Sequence, residues 1–283
     1  MASRQRAHES TDDGSPSATL KGVNRALLVL EHIASHPGRA TDIAEAMGLS
    51  WATLHRTLRQ LEQGGFLQRD SETGRYSIGR RMWFIGATYL ANHQVLELAR
   101  QYLQDASRVR GVTVQLVEKS DRQTVVLYSS HSDDEITKAT YGYHFPLHAG
   151  SKGQVLLAFS DDAFIDSCLA DDLERLTPYT ETDPKALRER LRTIRGQRYA
   201  VTVADVQVFS ASMAAPVFDR RNEVVACVCF VTRKSTLRSD ERRDRLLEKL
   251  LETAQSISLA LGWRPEWTGT LDRTSSAVLP VGE

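Results

Sequence analysis

Only three of the 283 residues are cysteine, Cys168, Cys227 and Cys229. An odd count without a framework spacing excludes a disulfide scaffold and fits a reducing, cytoplasmic setting. Cys227 and Cys229 form C-x-C rather than C-x-x-C, inside the apolar run Val224–Thr232, and no second ligand pair stands nearby at zinc spacing. They read as buried strand cysteines, with no metal and no cofactor expected. Long apolar runs are also missing: none approaches the roughly 20 residues needed to cross a bilayer, so no membrane partner is expected. The chain lacks charge of one sign, with 36 basic and 36 acidic residues. Catalytic signatures are absent as well: no G-x-S-x-G, no nucleotide-phosphate loop, no H-E-x-x-H. The stretch HAGSKGQ has glycines but not phosphate-loop spacing, and His144 and His148 are separated by Pro146, which disfavours a helical metal pair. An enzyme is the weaker reading.

What is present is an ordinary globular composition, 41% hydrophobic and 25% charged, in a chain long enough for two cores. MASRQRAHESTDDGSPSATLKG has basic residues but no apolar segment behind them. It reads as a polar arm rather than a secretory signal, with residues 1–20 expected to be disordered. Val23–His36 then has helical apolar spacing and ends at Pro37-Gly38. Thr41 is placed to cap a short helix through Met47, and Gly48 supplies a tight turn. Ser50 is placed to cap a longer helix, WATLHRTLRQLEQ, stopped by Gly64-Gly65. FLQRDSETGRYSI reads as a β-hairpin. Helix, short helix, turn, helix and hairpin make residues 21–81 a winged helix-turn-helix. Met82–Val109 reads as one uninterrupted linker helix. Residues 110–263 alternate strands (Val112–Glu118, Thr124–Ser130, Tyr199–Ala204, Ser212–Phe218, Val224–Thr232) with helices (Ser151–Phe159, Asp161–Leu169, Pro184–Arg195, Asp240–Leu261). The expected fold class is therefore α+β with a mainly antiparallel sheet. Residues 264–283 read as a disordered tail.

Charge is unevenly placed. Between residues 50 and 81, arginines 56, 59, 69, 75, 80 and 81 stand against Glu62, Asp70 and Glu72. A small basic segment on a larger near-neutral remainder suits a DNA-binding regulator. At 100° per residue, Leu54, Leu58 and Leu61 form one tight stripe on the second long helix. Ala52, Thr53, Arg56, Arg59 and Gln60 occupy the opposite side, with His55 at its edge. Arginine can bond two guanine acceptors, small residues allow close approach, and hydroxyls can reach phosphates. The N-terminal turn, Trp51 to Arg56, would enter the major groove first, with Ser50 at its start also a DNA-binding candidate. Taken alone, Arg56 and Arg59 are equally consistent with a solvated face; the preceding short helix and glycine turn favour DNA. Arg69, Thr73 and Arg75 flank the hairpin turn and are candidates for backbone contacts to double-stranded DNA. Trp51 is either exposed against DNA sugars or a plug at the core edge.

At these residues the chain resembles the IclR family of transcription regulators, over residue 21 to about 262. The resemblance is carried by VNRALLVLEHIA, ATDIAEAMGLSWATLHRTLRQLEQGGFLQRD and GRYSIGRRM. Farther on it is carried by FPLHAGSKGQVLLAF, SASMAAPVFDRRNEVVACVCFV and LLEKLLETAQSISLALGW. It implies a winged helix-turn-helix, a linker helix and a GAF-like domain that binds a small organic effector, an aromatic or short aliphatic acid from a catabolic pathway. It further implies a homodimer through the DNA-binding part, a homotetramer through the effector domains, and action as repressor or activator. Carried over by position, the effector site involves Phe145, Ser151, Lys152, Thr202, Asp205, Ser212, Cys229 and Val231. The chain departs from the pattern in having Phe209 where a glycine is usual and a single Asp205 where an acidic pair is typical. It also has Cys229 and Val231 in place of small hydroxyl residues, and Lys152 in place of a small or apolar one. Chemically, Phe145, Cys229 and Val231 provide apolar walls and Ser151, Thr202 and Ser212 provide hydroxyls, the usual make-up of a small-molecule site. Lys152 and the start of the helix near Ser151 would suit a carboxylate; a lysine pointing to solvent is the alternative.

Overall fold

The computed structural model describes residues 22–130, 145–170 and 172–265. The expected arm, most of the expected tail and His144 lie outside these. The described residues group into two compact units that divide between Tyr89 and Leu90.

In the first unit, α1 (Gly22–Ser35) is followed by β1 (Gly38–Arg39), α2 (Ala40–Met47) and α3 (Trp51–Gln63). The hairpin β2 (Leu67–Arg69) and β3 (Arg75–Ile78) leads to α4 (Arg80–Ala91). The three strands pair antiparallel in the order β1-β3-β2. Val29 and Ile33 of α1, Ile43 of α2, Leu54, Leu58 and Leu61 of α3, and Leu67 and Tyr76 of the hairpin form one core. Gly48 ends α2 at φ +61, the left-handed conformation glycine adopts without a Cβ penalty. Leu49 N–H then reaches back to the Ala44 carbonyl. Two caps differ from expectation. Arg39, not Thr41, is the N-cap of α2, and Thr41 lies within its first turn. Ser50 does stand at the N-cap of α3, but its hydroxyl bonds Thr53 Oγ1 at 2.9 Å rather than a backbone N–H. In the wing, Asp70 accepts hydrogen bonds from Glu72 N–H, Thr73 N–H and the Thr73 hydroxyl, which fixes the turn.

The single linker helix expected over Met82–Val109 is instead two helices, α4 and α5 (Gln94–Ala106). His93 adopts φ −85, ψ 98, and its Nδ1 accepts the Leu96 N–H, so it caps α5 and interrupts the helical ladder. Its other ring nitrogen lies 3.0 Å from Glu118 Oε2.

The second unit continues with β4 (Thr113–Ser120), β5 (Gln123–Ser129), β6 (Phe145–Pro146), α6 (Gly150–Ala158), α7 (Asp162–Leu169) and α8 (Pro184–Gln197). It ends with β7 (Ala200–Val203), β8 (Ser210–Phe218), β9 (Val224–Arg233), a 3-10 turn (Lys234–Arg238) and α9 (Asp240–Ala260). The described strands form one sheet in the order β6-β5-β4-β9-β8-β7, every pair antiparallel. The α+β class with an antiparallel sheet is the fold observed. Side chains alternate between the sheet faces. Val114, Leu116, Val228 and Phe230 pack with α5 and α9. Val117, Cys227 and Cys229 pack with α6, α7 and α8. Cys227 and Cys229 are buried strand cysteines, as the sequence suggested, and Cys168 is buried and free as well. Asp183 accepts from Lys185 and Ala186 N–H ahead of Pro184, so α8 starts where a capping side chain and an N1 proline place it.

Candidate DNA-reading face and effector site

On α3 the stripe of Leu54, Leu58 and Leu61 faces the core, joined by Thr57, whose hydroxyl donates to the Thr53 carbonyl. The other side is open: Trp51, Ala52, Arg56, Arg59 and Gln60 are exposed, while Thr53 and His55 are half-buried. Trp51 is 54% exposed and its ring lies 5.5 Å from that of His55, so it is not a core plug. The wing candidates divide in two. Arg69 and Thr73 are exposed, with Arg69 above the Tyr76 ring. Arg75 is tied down: its guanidinium donates to the Pro37 carbonyl, and Arg39 Nε donates to the Thr73 carbonyl at 3.0 Å. Together these two arginines join the wing to the turn between α1 and α2. Arg39 went unnoticed in the sequence because its partner lies 34 positions away.

In the second unit the eight effector candidates gather where the start of α6 meets the sheet. Gly150 takes φ +72 at the first position of α6, where a Cβ would lie 2.8 Å from Val206 Cγ2. Its N–H donates to Asp205 Oδ2 at 2.7 Å. The next N–H, of Ser151, donates to Thr202 Oγ1 at 3.1 Å. The Ser151 hydroxyl donates to Ser212 Oγ at 2.8 Å, Ser212 is 3.0 Å from Thr202 Oγ1, and Cys229 Sγ is 3.8 Å from Ser151 Oγ. Three hydroxyls from α6, β7 and β8 are thereby interlocked.

Asp205 holds the loop after β7 under α6. Burial raises its carboxyl above the usual carboxylate range, opposed by the Gly150 N–H bond and by Arg190 and His148. Oδ1 of Asp205 has no hydrogen-bond partner among the described residues, and the Thr177 and Thr180 hydroxyls fix the loop backbone through the carbonyls of Ala204 and Asp205, each at 2.6 Å. Lys152 does not point to solvent. It is 8% exposed, its Nζ donates to Gln115 Oε1 at 3.2 Å, and it sits 4.8 Å over the Phe145 ring. Burial lowers its ammonium below the ordinary lysine value. Val231 is half-buried and lies beside Ser212 across the β8–β9 pair. Gln115, Gln154 and the Thr177–Thr180 pair were missed from sequence; an amide side chain in the otherwise β-branched and aliphatic strand VTVQLV was the one available signal for Gln115.

With this geometry in view, comparison with known proteins is decisive. A family model described as "Bacterial transcriptional regulator IclR C-terminal" matches residues 87–259, and the "IclR helix-turn-helix domain" matches residues 22–71. The chain belongs to the IclR family. Among its relatives, the glycerol operon regulatory protein of Streptomyces coelicolor is 31% identical over 86% of this chain and 97% of its own length. The HTH-type transcriptional regulator BhcR of Paracoccus denitrificans is 29% identical over 88% and 90%. An IclR transcriptional regulator from Alicyclobacillus acidocaldarius shares the fold with a TM-score of 0.74 at 28% identity, covering 85% of this chain and 98% of its own. An IclR homolog from Microbacterium hydrocarbonoxydans, solved with 4-hydroxybenzoate, gives 0.72 at 25%, covering 86% and 99%. As an IclR-family member the chain is a DNA-binding transcriptional regulator with a C-terminal effector domain. Among the described residues, no helix is long and apolar enough to cross a membrane.

Proposed function

We propose that the open face of α3, chiefly Thr53, Arg56 and Arg59 with Ser50, Trp51, Ala52 and His55 around them, reads operator bases. Arg69 and Thr73 contact the backbone, and Arg75 holds the wing in place. The effector is a small organic acid bound where α6 meets β7, β8 and β9, within reach of Phe145, Ser151, Lys152, Thr202, Asp205, Ser212, Cys229 and Val231. The observation that carries the second part is the interlocked trio of Ser151, Thr202 and Ser212 beside a buried lysine: convergent polar groups in an apolar surround, the chemistry of a small-molecule site. Regulation rather than catalysis is favoured because the Ser151 hydroxyl is bonded to Ser212, while the His148 ring is engaged at 2.9 Å with the Glu174 carbonyl. The protein acts in the cytoplasm as a homodimer joined through its DNA-binding part, and as a tetramer through its effector domains. The ligand shifts operator affinity by its preference for one arrangement of the paired domains, typically about 1–3 kcal/mol.

A thermal-shift screen of the full chain against small aromatic and aliphatic acids, followed by gel-shift titration with each hit, tests this reading. Ser212→Trp, which fills the junction, is expected to abolish the ligand response and leave ligand-free DNA binding near normal. Undiminished ligand affinity in that variant would place the site elsewhere.

A further inference from the structure

The interlocked hydroxyls account for Ser151, Thr202 and Ser212, but not for the polar groups on the β4 side of the same layer. Lys152 has three N–H donors. Among the described residues its ammonium finds one acceptor, Gln115 Oε1, and one aromatic face, Phe145. No carboxylate among the described residues acts on it; the titratable groups that do are the thiols of Cys227 and Cys229. Thr113, 0% exposed, carries a hydroxyl with no hydrogen-bond partner among the described residues. Most buried polar groups in proteins are paired, and an uncompensated buried cation is expensive.

Strand register shows where these groups lie. Thr113 is opposite Val231, Val231 opposite Ser212, and Ser212 opposite Thr202, so the four make one row across β4, β9, β8 and β7. In the next row Gln115 is opposite Cys229. Thr113 and Gln115, two apart on an unbroken stretch of β4, share the face that α6 covers. The ends of the first row, Thr113 and Thr202, are buried, whereas Val231 and Ser212 in its middle are half-exposed. The row is therefore open from its centre, with an unfilled hydroxyl on one side and the hydroxyl cluster on the other.

We propose that Lys152, Gln115 and Thr113 form a carboxylate subsite on the β4 side of the effector site, distinct from the hydroxyl cluster of Ser151, Thr202 and Ser212. It rests on the reading of the α6–sheet junction as the effector site. The effector is then an organic acid whose carboxylate meets Lys152 and Thr113 while its remainder lies over Val231 and Cys229. A carboxylate supplies two oxygens with about four acceptor positions. Those match the two unfilled N–H groups of Lys152 and the Thr113 hydroxyl, which donates its proton. Gln115, bonded through Oε1, orients the ammonium and leaves its other donors to the ligand. Such charge-assisted bonds are the strong ones, and a neutral molecule of the same shape leaves the cation uncompensated.

The test is calorimetric and thermal titration of the full chain with matched acids and amides: benzoate and benzamide, 4-hydroxybenzoate and 4-hydroxybenzamide, butanoate and butanamide. Wild type is expected to bind at least one acid roughly ten- to hundredfold more tightly than its amide. Lys152→Met and Thr113→Val are each expected to remove about tenfold or more of that affinity. Lys152→Met is also expected to raise the melting temperature of the ligand-free protein, because it replaces an uncompensated buried cation by an apolar chain of similar length. That rise separates a ligand-binding lysine from one that merely supports the fold. Equal binding of acids and amides, no acid binding at tens of millimolar, or acid binding unchanged in Lys152→Met overturns the subsite. If acid binding survives Lys152→Met but is lost in Ser212→Ala, the effector site stands and only the subsite fails. If it is lost in Lys152→Met yet never alters operator affinity, the subsite stands and the effector reading fails.

Discussion

The Asp205 carboxylate accepts the backbone N–H of Gly150 at 2.7 Å, tying the loop after β7 to the first residue of α6 across 55 positions of sequence. Removing the carboxylate strands a buried N–H, so Asp205→Ala is expected to cost about 1–3 kcal/mol and to loosen the effector site with it. Asp205→Asn keeps an acceptor without the buried charge. Because burial raises the Asp205 carboxyl above its usual 3.8, the folded state binds more protons than the unfolded state between that value and the raised one. Wild-type stability from this group therefore falls as pH rises through that window, and the penalty is fully present above it. Asp205→Asn is expected to match or exceed wild type in urea unfolding at pH 7 and to lose its advantage as the pH approaches 4. An Asn variant as unstable as Asp205→Ala at pH 7 would show that the ionised carboxylate itself is required.

Lys152 runs the opposite way. Burial lowers its ammonium from the ordinary 10.5, and the facing thiols of Cys227 and Cys229, themselves pushed up by burial, offer little opposing charge. Lys119, on the same face of β4, is engaged with Ser160 and the Phe164 ring. The unfolded chain binds more protons between the lowered value and 10.5, so ligand-free stability is expected to rise with pH through that window, a rise that Lys152→Met lacks. Acid binding has the reverse dependence: affinity is flat below the lowered value and falls above it, each ligand bringing a proton with it. Calorimetry at one pH in phosphate and in Tris reads that uptake directly. A binding enthalpy independent of buffer throughout the alkaline range would contradict it.

On the DNA side, the exposed Arg56 and Arg69 are expected to behave differently from Arg75, whose guanidinium donates to the Pro37 carbonyl. Arg56→Ala should cost about 1–3 kcal/mol and relax sequence preference if it meets a guanine edge. Arg69→Ala should weaken all duplexes alike and reduce the salt slope by about 0.9 for each phosphate it no longer neutralises. Arg75→Ala, unlike Arg69→Ala, should also lower the melting temperature, since it removes the bond to the Pro37 carbonyl. Gel-shift titrations at several salt concentrations, with a melting curve for each variant, separate the three. Unaltered affinity and preference in Arg56→Ala would reject the α3 assignment.

Features written in local period were readable in the sequence. Leu54, Leu58 and Leu61 recur on one helical face and pack in the first core, and Cys227 and Cys229 alternate with Val228 and Phe230 onto opposite faces of β9. The break at His93 was not readable, because apolar residues continue at Leu90 and Val95 without a gap in the pattern. What interrupts the helix is a side-chain cap on Leu96, with Glu118 holding the other ring nitrogen. The Lys152–Gln115 contact is of the same kind: it depends on β4 lying beside β9 under α6, a pairing no local spacing encodes. Of the site, the residue types could be carried over by position, while their partners required the fold.

The last expectation concerns assembly. Helix α4 buries none of its residues, and Trp83, Phe84, Ile85 and Tyr89 are each more than half exposed. On α1, Val23 is 73% and Leu27 53% exposed. A soluble chain rarely leaves so much aromatic surface open unless another surface covers it, and a second copy of the DNA-binding part is the occupant the proposed function requires. Two-fold pairing would set two α3 helices about 34 Å apart for successive major grooves and match a pseudo-palindromic operator. Phe84→Asp places a charge in that surface without touching the core around Leu54 and Leu58. It is expected to leave the melting of the helix-turn-helix largely unchanged, to shift the sedimenting species toward smaller assemblies, and to lower operator affinity by at least a hundredfold while sparing weak half-site binding. If Phe84→Asp sediments and binds the full operator as wild type does, the dimer forms through some other surface.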